Sequence, residues 1–561
     1  MILPAQGRIP AAGTGRWPYD AERLMSSPSS VFPADLPRAA SLPTGPAPLA
    51  WLLAMLATGM VALPFWWAWL EAPISNFWPL MVSWACGAVL VAMAWAVRSR
   101  VQGLRMRAAQ VLAAGLLLAA VVTAGIGLLQ YFVGDPGLAP WVYPSQPGQA
   151  IGNLRQRNQQ ATLISLGLWA LLWWGARMRL GQGPVRSLAE RWLALPFAWT
   201  VLWLALAAAA TTSRTGALQW AMLVLLVGVW WGRRRPQVLG MAAVALVLML
   251  LAAWALPHAL REFSGVESPG LFGRMLGDEE ACVSRAVLWA NMLELIAQRP
   301  WTGWGWGGLS YAHYVADFDG MRFCVLLDNA HNLPLHLAVE LGVPLAVLWC
   351  GVALWWVLQA RPWAESDPVR QLAWGVLALV GLHSMLEFPL WYGPFQIVTL
   401  AALALLWRRP AAWPAWASWQ RVPLLLSVFV AVWVYVAWDY HRISQLYRPV
   451  HLRAPDYQEQ TFEKVSNSVL FPNQVDFAML SVSRLAPETA GASLVLARGL
   501  LHFSPEPRVI EILIQSAEWT GQLEEAALHR RKYQRAYPED YARWQSRLDG
   551  SASAARAGPA P

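Results

Sequence analysis

Charge is what this sequence has least of. Only 13% of its 561 residues are Asp, Glu, Lys or Arg, 57% are hydrophobic, and lysine occurs just twice, at Lys464 and Lys532. So few charges cannot clothe a water-facing surface, and a mean hydropathy of +0.37 points the same way. The chain is read as an integral membrane protein. A leader is not evident either: residues 1–47 hold eight prolines and no apolar core behind a basic stretch, so the expectation is a disordered cytoplasmic tail, not a cleaved signal peptide. A nucleotide-binding fingerprint is also absent, because the run Gly303, Gly305, Gly307, Gly308 follows no strand pattern and reads as a tight turn.

What is there is apolar length. Crossing a bilayer takes about 20 residues, and apolar runs of roughly that size fall near 48–70, 77–97, 109–133, 159–177, 191–210, 215–232, 237–257, 332–358, 371–390, 394–408 and 423–439. The expected fold is all-α and polytopic, with about eleven transmembrane helices across 48–440. The 37 tryptophans suit membrane interfaces. Arginine orients the array, since short cytoplasmic loops keep positive charge. The tail and the segments near 98–107, 177–191, 233–235, 361–370 and 408–421 are basic, and the loops between them are not. That alternation puts the loop 258–331 and the segment 441–561 in the periplasm. It accounts for most of the net charge of +9 without nucleic acid.

Three arginines break the rule on the outer side. Arg155 and Arg157 lie in "GNLRQRNQQATLISLGLW", just before one expected helix, and Arg214 in "TTSRTGALQW" opens another. A cation at a helix N-terminus opposes the macrodipole, so Arg214 is not there for helix stability. A single arginine can snorkel to lipid phosphates; three facing one compartment favour an anion site. In the long loop, "CVSRAVLWANMLELIAQRPWTGWGWGG" spaces Val287, Leu288, Asn291, Glu294 and Leu295 as an amphipathic surface helix. Ser284 is its N-cap, Arg285 lies in its first turn and Pro300 ends it.

"LLDNAHNLPLHLAVELGVPLAVL" then sets His331 against an apolar run, with Asn332 as N-cap and Pro334 in the first turn. His331 thus sits at the positive end of a helix dipole, where a neutral imidazole can act as general base and backbone N–H groups can receive an anion. The bland alternative is an interfacial hydrogen-bonding histidine, a reading that suits His336, one turn deeper. "DFDG" offers Asp317 and Asp319 as oxygen ligands for Mg²⁺ or Mn²⁺, against the commoner reading of a solvated loop. Cys86 and Cys350 fall within spans. Cys282 and Cys324 share the outer loop, where an oxidising compartment allows one disulfide and two free thiols are the alternative.

Beyond residue 440 the long apolar runs end, and both lysines lie here. "PEPRVIEILIQSAEWTGQLEEAALHRRKYQRAYPEDY" reads as two amphipathic helices about Gly521, a tetratricopeptide-like hairpin within a soluble helical periplasmic domain, 441–561. Such a domain would bind an acceptor protein or cap the membrane part.

"TTSRTG", the helix from "SRAVLW" to "RPWTGWGWG", and "DNAHNLPLHLAVELG" resemble successive motifs of the Wzy_C superfamily of O-antigen ligases and polymerases. "GNLRQRNQQATLISLGLW" resembles the short signature of the PglL-type protein glycosylation ligases, and "HSMLEFPLWYGPF", residues 383–395, is similar to a second segment of that branch. The resemblance implies an O-oligosaccharyltransferase that moves a preassembled glycan from undecaprenyl diphosphate to a Ser/Thr hydroxyl of a periplasmic or pilin protein. It also implies the inner membrane, a periplasm-facing site, no cofactor and no metal. Position by position, His331 would be the catalytic base, and Arg214, Arg285 and Arg155 would bind the donor diphosphate. Gln156 and Asn158 fall in the first branch segment, His383, Glu387 and Tyr392 in the second, and Asn332 beside the base, as supporting residues. "RQRNQQA" departs from the branch pattern, which leaves the role of Arg157 open.

The residue types suit that chemistry. A diphosphate leaving group needs fixed cationic forks, and a hydroxyl nucleophile gains about 10²–10⁴-fold from a positioned base. Other acceptors stay open: lipid A core, as for an O-antigen ligase, or a growing chain, as for a polymerase. A transporter of lipid-linked glycans is the remote alternative, since it would place charge at the bilayer midplane and show repeated halves, whereas here the charges cluster at one face.

Overall fold

The structure, a computed structural model, describes residues 48–99, 101–178, 188–277, 281–407 and 419–557. The expected tail 1–47 and Arg100, Arg179, Arg186, Arg408 and Arg409 lie outside these. The chain divides into residues 1–51 and 52–561. Of the former, only the start of the first helix is described, and every other element belongs to the latter.

Every regular element among the described residues is helical. Seven helices come first: α1 (Pro48–Trp66), α2 (Phe77–Val97), α3 (Leu104–Val133), α4 (Arg157–Arg177), α5 (Leu188–Ala210), α6 (Arg214–Trp231) and α7 (Pro236–Ser264). A loop region holds α8 (Gly270–Leu276), α9 (Arg285–Gln298) and α10 (Leu309–Val315). Next come α11 (Leu333–Leu341), α12 (Val343–Ala360), α13 (Pro368–Ser384), α14 (Gly393–Leu406) and α15 (Val422–Ser444). The last group is α16 (Thr461–Val465), α17 (Pro472–Val482), α18 (Ala490–Phe503), α19 (Pro507–Trp519), α20 (Leu523–Ala536) and α21 (Pro538–Ala557).

Among the described residues, 6 helices are long and apolar enough to cross a membrane: α1, α2, α3, α7, α12 and α15. The other expected spans form helices that fall short of that measure for visible reasons. Helix α4 opens with Arg157, Asn158, Gln159 and Gln160, and α13 and α14 are only 17 and 14 residues long. Burial explains how such helices are tolerated. From Gln159 to Trp173 every residue of α4 is buried, so its polar side chains meet protein and not solvent or lipid. Gln160 Nε2 donates to the Thr123 carbonyl at 2.8 Å, and Gln219 Nε2 to Thr162 Oγ1 at 2.9 Å and the Leu379 carbonyl at 3.0 Å. Small residues let the helices approach: a Cβ on Gly167 would stand 2.2 Å from that of Ala120, and one on Gly375 2.1 Å from the Trp169 indole.

Three boundaries differ most from expectation. Helix α7 continues past 257 to Ser264, and the expected span 371–390 ends at Ser384. The run 332–358 is not one helix: it breaks at Gly342, whose φ of +84° separates α11 from α12. The cause is a distant clasp. Trp304 N–H donates to the Val339 carbonyl at 2.8 Å, Gly305 N–H to that of Glu340 at 3.0 Å, and Val343 N–H to that of Pro300 at 2.8 Å. A Cβ on Gly342 would lie 2.4 Å from the Trp301 oxygen, and one on Gly303 2.4 Å from that of Glu340, so the glycines permit backbone-to-backbone docking. The buried faces of α9 and α10 complete this unit around Met292, Leu295, Ala312 and Val339.

Helices α18 to α21 gather about Leu494, Leu513, Ile514, Tyr533 and Trp544, and Tyr314 of α10 joins that core. Gly521, φ +77°, makes the turn between α19 and α20. Asp317 carries the loop's charge contact with this region, at 2.7 Å from both Lys532 Nζ and Arg535 Nη1. The D-x-D pair therefore has a structural use: one carboxylate docks α20. The Asp319 N–H donates to Glu294 Oε2 at 3.1 Å.

Candidate functional site

Helix α13 gives way to a tight turn, with the Leu386 and Glu387 N–H groups both donating to the His383 carbonyl, and Pro389 and Pro394 prevent the helix from resuming at once. This turn aims Glu387 into the protein, with its side chain only 5% exposed. Four donors from three distant segments converge on it. Oε1 accepts from Asn158 Nδ2 at 2.8 Å and pairs with the Arg285 guanidinium; Oε2 accepts from Gln156 Nε2 at 3.1 Å and lies 2.7 Å from His331 Nδ1. A carboxylate has about four lone-pair sites, and all four are used.

Burial alone would raise the Glu387 carboxyl, but the hydrogen bond from His331 and the charges of His331, Arg285 and His383 outweigh it and hold it down to about 2. Glu387 is thus an acceptor only, so His331 Nδ1 must carry the shared hydrogen. In the neutral ring Nε2 is then the basic nitrogen. His331 does directly precede the Asn332 cap of α11, as the sequence suggested, and Glu387 adds a carboxylate 2.7 Å from its ring. Phe388 meets the ring edge-on at 5.1 Å between centroids, and Asn332 fixes the segment by accepting from Leu335 N–H at 3.0 Å and donating to the Met385 carbonyl at 3.0 Å.

Beside this hub lies a second group. Ser213 caps α6 through Gly216 N–H at 3.0 Å and donates to Asn158 Oδ1 at 2.6 Å, so Arg214 starts its helix one residue from the Glu387 network. Arg157, whose role the sequence left open, meets the residue before Ser213: its Nη1 is 3.4 Å from Thr212 Oγ1, while Arg274 Nη1 donates to the Thr212 carbonyl at 3.0 Å. Arg274, Thr212 and Ser213 were missed as candidates. Arg274 shares the long loop 258–331 with Arg261, Arg285, Arg299 and Arg322, so charge alone did not single it out. Of the non-glycine residues described with positive φ, Arg155 (62°), Thr212 (51°) and His331 (51°) all belong here, and such backbone costs about 1–3 kcal/mol each where the surroundings enforce it.

Arg155, next to Gln156 in the chain, has Nη2 3.3 Å from Asn76 Oδ1. Burial pulls its guanidinium below its ordinary range, partly countered by Tyr392 and Tyr143. Burial also pushes the Tyr392 hydroxyl up. His383 stands behind the carboxylate, with Nδ1 2.9 Å from Thr162 Oγ1. It meets Glu387 through the backbone alone, the Glu387 N–H donating to its carbonyl at 2.8 Å, and its ring Nε2 is buried with no hydrogen-bond partner among the described residues. Arg285, expected as a donor ligand, has its guanidinium committed to Glu387 through one nitrogen, and Ser284 caps its helix. Cys282 and Cys324 are joined as a disulfide, Cα–Cα 5.4 Å, just ahead of α9. Asn291 of that helix holds the same strand of chain through Met321 and Phe323. His336 is buried beside Glu340 at 3.5 Å and takes no part.

Three family models match in succession: protein glycosylation ligase over residues 150–174, O-antigen ligase over 199–350, and the C-terminal part of virulence factor membrane-bound polymerase over 371–549. Each matched segment supplies a group to the Glu387 hub. In these three segments the chain resembles the O-antigen ligases and protein glycosylation ligases. A relative, the general O-oligosaccharyltransferase of Acinetobacter baylyi, is 26% identical over 292 residues, which cover 50% of this chain and 47% of that protein. The chain thus aligns with about half the length of that curated relative. In this chain the segment similar to glycosylation ligases contributes Gln156 and Asn158, the segment similar to O-antigen ligases Arg285 and His331, and the segment similar to the polymerase Glu387 itself.

Proposed function

We propose that this protein is an O-oligosaccharyltransferase of the inner membrane, transferring a preassembled glycan from undecaprenyl diphosphate to a Ser/Thr hydroxyl of a periplasmic or pilin protein. The observation that carries the reading is the convergence of His331, Arg285, Gln156 and Asn158 on one buried, ionised carboxylate. In the proposed step the acceptor oxygen attacks the anomeric carbon and its proton passes to His331 Nε2. The bond from that carbon to the diphosphate oxygen breaks, and its electron pair leaves on the diphosphate. Glu387 keeps the imidazole in the required tautomer and balances the imidazolium that forms. Arg285, Arg214 and Arg155 are assigned to the diphosphate, where forked donors meet developing charge; Arg274 and Arg157 are the next nearest cations of this group. No cofactor or metal is assigned to the reaction.

In this reading α4, α5, α6, α13 and α14 cross the membrane with the six apolar helices, making eleven spans. The Glu387 end faces the periplasm, and residues 441–561 form a periplasmic domain of tetratricopeptide-like hairpins that engages the acceptor. A reporter fused after residue 235 should then be cytoplasmic, and one after residue 450 periplasmic; matching compartments would sink the topology. The match of 371–549 to a polymerase model favours a second reading, chain extension on a glycan hydroxyl. Purified protein given lipid-linked glycan and a pilin acceptor separates the two: glycosylated pilin is expected, and longer lipid-linked chains with unmodified pilin would replace the first reading by the second. Deleting the gene should lower pilin mass and leave lipopolysaccharide banding unchanged.

A further inference from the structure

At the far end of α4 from Arg157, roughly 30 Å away for a helix of this length, lies a polar cavity of about 350 Å³ between three elements. Arg177 ends α4, Arg234 and Arg235 form the turn from α6 to α7, and Ser366 and Gln371 bring the start of α13. Among the described residues, no carboxylate lines it. The two nearest in sequence are already taken: Glu365 by Arg370, and Asp367 by Arg105 at 2.8 Å. One terminal guanidinium nitrogen of Arg235 is buried and meets no hydrogen-bond partner among the described residues. The wall is rigid and aromatic. Trp173 Nε1 donates to the Pro368 carbonyl at 2.7 Å, Trp231 Nε1 to Gln371 Oε1 at 2.9 Å, and Arg177 lies 4.9 Å over the Trp173 ring.

Loop arginines that merely orient a membrane protein need only reach water, and they have no reason to enclose a cavity or bury an N–H group. Three guanidiniums around one polar volume, with adjacent acids neutralised, instead match a phosphate monoanion. The separation from Arg157 is about one hydrocarbon thickness, which puts the cavity at headgroup level if the Glu387 end lies at the other surface. Basic pockets between helix ends are where anionic headgroups bind.

We propose that this cavity holds the phosphate of an anionic phospholipid headgroup, stitching α4, the α6–α7 turn and α13 together at the end of the bundle opposite Glu387. The site requires that the bundle cross a bilayer and is independent of the transfer reaction. The test is native mass spectrometry of the full chain released from nanodiscs of phosphatidylcholine mixed with phosphatidylglycerol. Wild type should retain phosphatidylglycerol preferentially. Retention should fall roughly five-fold with each of Arg177→Gln, Arg234→Gln and Arg235→Gln, and not with the paired control Arg98→Gln and Arg107→Gln. Should Arg177→Gln or Arg235→Gln fail to fold, Arg234→Gln decides, because its side chain is exposed. Inorganic phosphate added to the same discs distinguishes the source: unchanged retention assigns the phosphate to lipid, and displacement assigns the site to a soluble phosphate ester. Equal phosphatidylglycerol retention by wild type and the arginine variants would overturn the proposal.

Discussion

Glu387 and Asp317 are each one carboxylate between two basic side chains, and they differ in almost everything else. Glu387 is 5% exposed, faces Arg285 and His331, and fills its remaining lone pairs with Gln156 and Asn158. Asp317 is 56% exposed and meets Lys532 and Arg535 at the rim of α20. In the sequence Glu387 lay within a family segment, and Asp317 in a weak metal motif more readily read as a solvated loop. Burial separates them. A charge taken out of water is costly unless every contact is made, so removing one partner is felt throughout the cluster, whereas water and salt replace an exposed pair at little cost.

The largest effect is therefore expected at Glu387. Glu387→Ala leaves Arg285 uncompensated and should cost about 3–5 kcal/mol of stability, read as a lowered thermal unfolding midpoint in detergent. Glu387→Gln keeps the shape and removes the charge, and its pH dependence has a definite sign. The carboxyl is held down to about 2, below its ordinary 4.5. Its stabilisation is fully present above about pH 4.5 and fades as pH falls toward 2. The gap in unfolding midpoint between wild type and Glu387→Gln should then be constant from pH 7 to pH 5 and narrow below that; a gap unchanged at pH 3 would remove the ionised carboxylate from the account.

Next come the two basic side chains of the same hub. His331→Ala should abolish transfer to within the about 10²–10⁴-fold that a positioned base supplies, while the protein still inserts and accumulates; near-wild-type transfer would take His331 out of the catalytic role. Arg285→Lys sharpens the comparison, because it keeps the charge and loses the fork that serves Glu387 and the diphosphate together. Transfer should drop by roughly 10- to 150-fold for Arg285→Ala, equivalent to about 1.5–3 kcal/mol, and by less for lysine. Full activity of both variants with purified enzyme would refute the diphosphate clamp.

What could be read from the sequence was local. Ser284 and Asn332 cap their helices through N–H groups three residues on, an interaction contained within a few residues, so both helix starts were legible. Long apolar runs likewise announce helices wherever they occur. The misses all depend on distant chain. Gly342 breaks an apolar run only because Trp301 docks against it, and the Glu387 hub joins residues up to 231 positions apart. Helix α4 could not be recognised as enclosed by protein, since hydropathy records composition and not neighbours. Arg274 lay among other arginines in a long loop, where the charge rule carries less weight.

The smallest effect belongs to Asp317, and it tests the comparison from its other side. Hydrogen bonds from Lys532 and Arg535 hold the Asp317 carboxyl below its ordinary range, yet the group is largely exposed and its cations have water as an alternative. Asp317→Ala should cost no more than about 1 kcal/mol, on the scale of exposed pairs, and the loss should shrink further at high salt, since the Debye length contracts to about 3 Å at 1 M. The tail should stay docked, because Tyr311 stacks on His502 at 4.5 Å and Tyr314 Oη lies 2.9 Å from His529 Nδ1 without Asp317. Glycan transfer by Asp317→Ala, and by the double variant with Asp319→Ala, should remain within a few-fold of wild type. Loss of transfer in these variants, restored by added Mg²⁺ or Mn²⁺ and abolished by chelation in wild type, would reverse the comparison: Asp317 would then be the reacting carboxylate's partner in a metal-assisted step, and its pairing with α20 secondary.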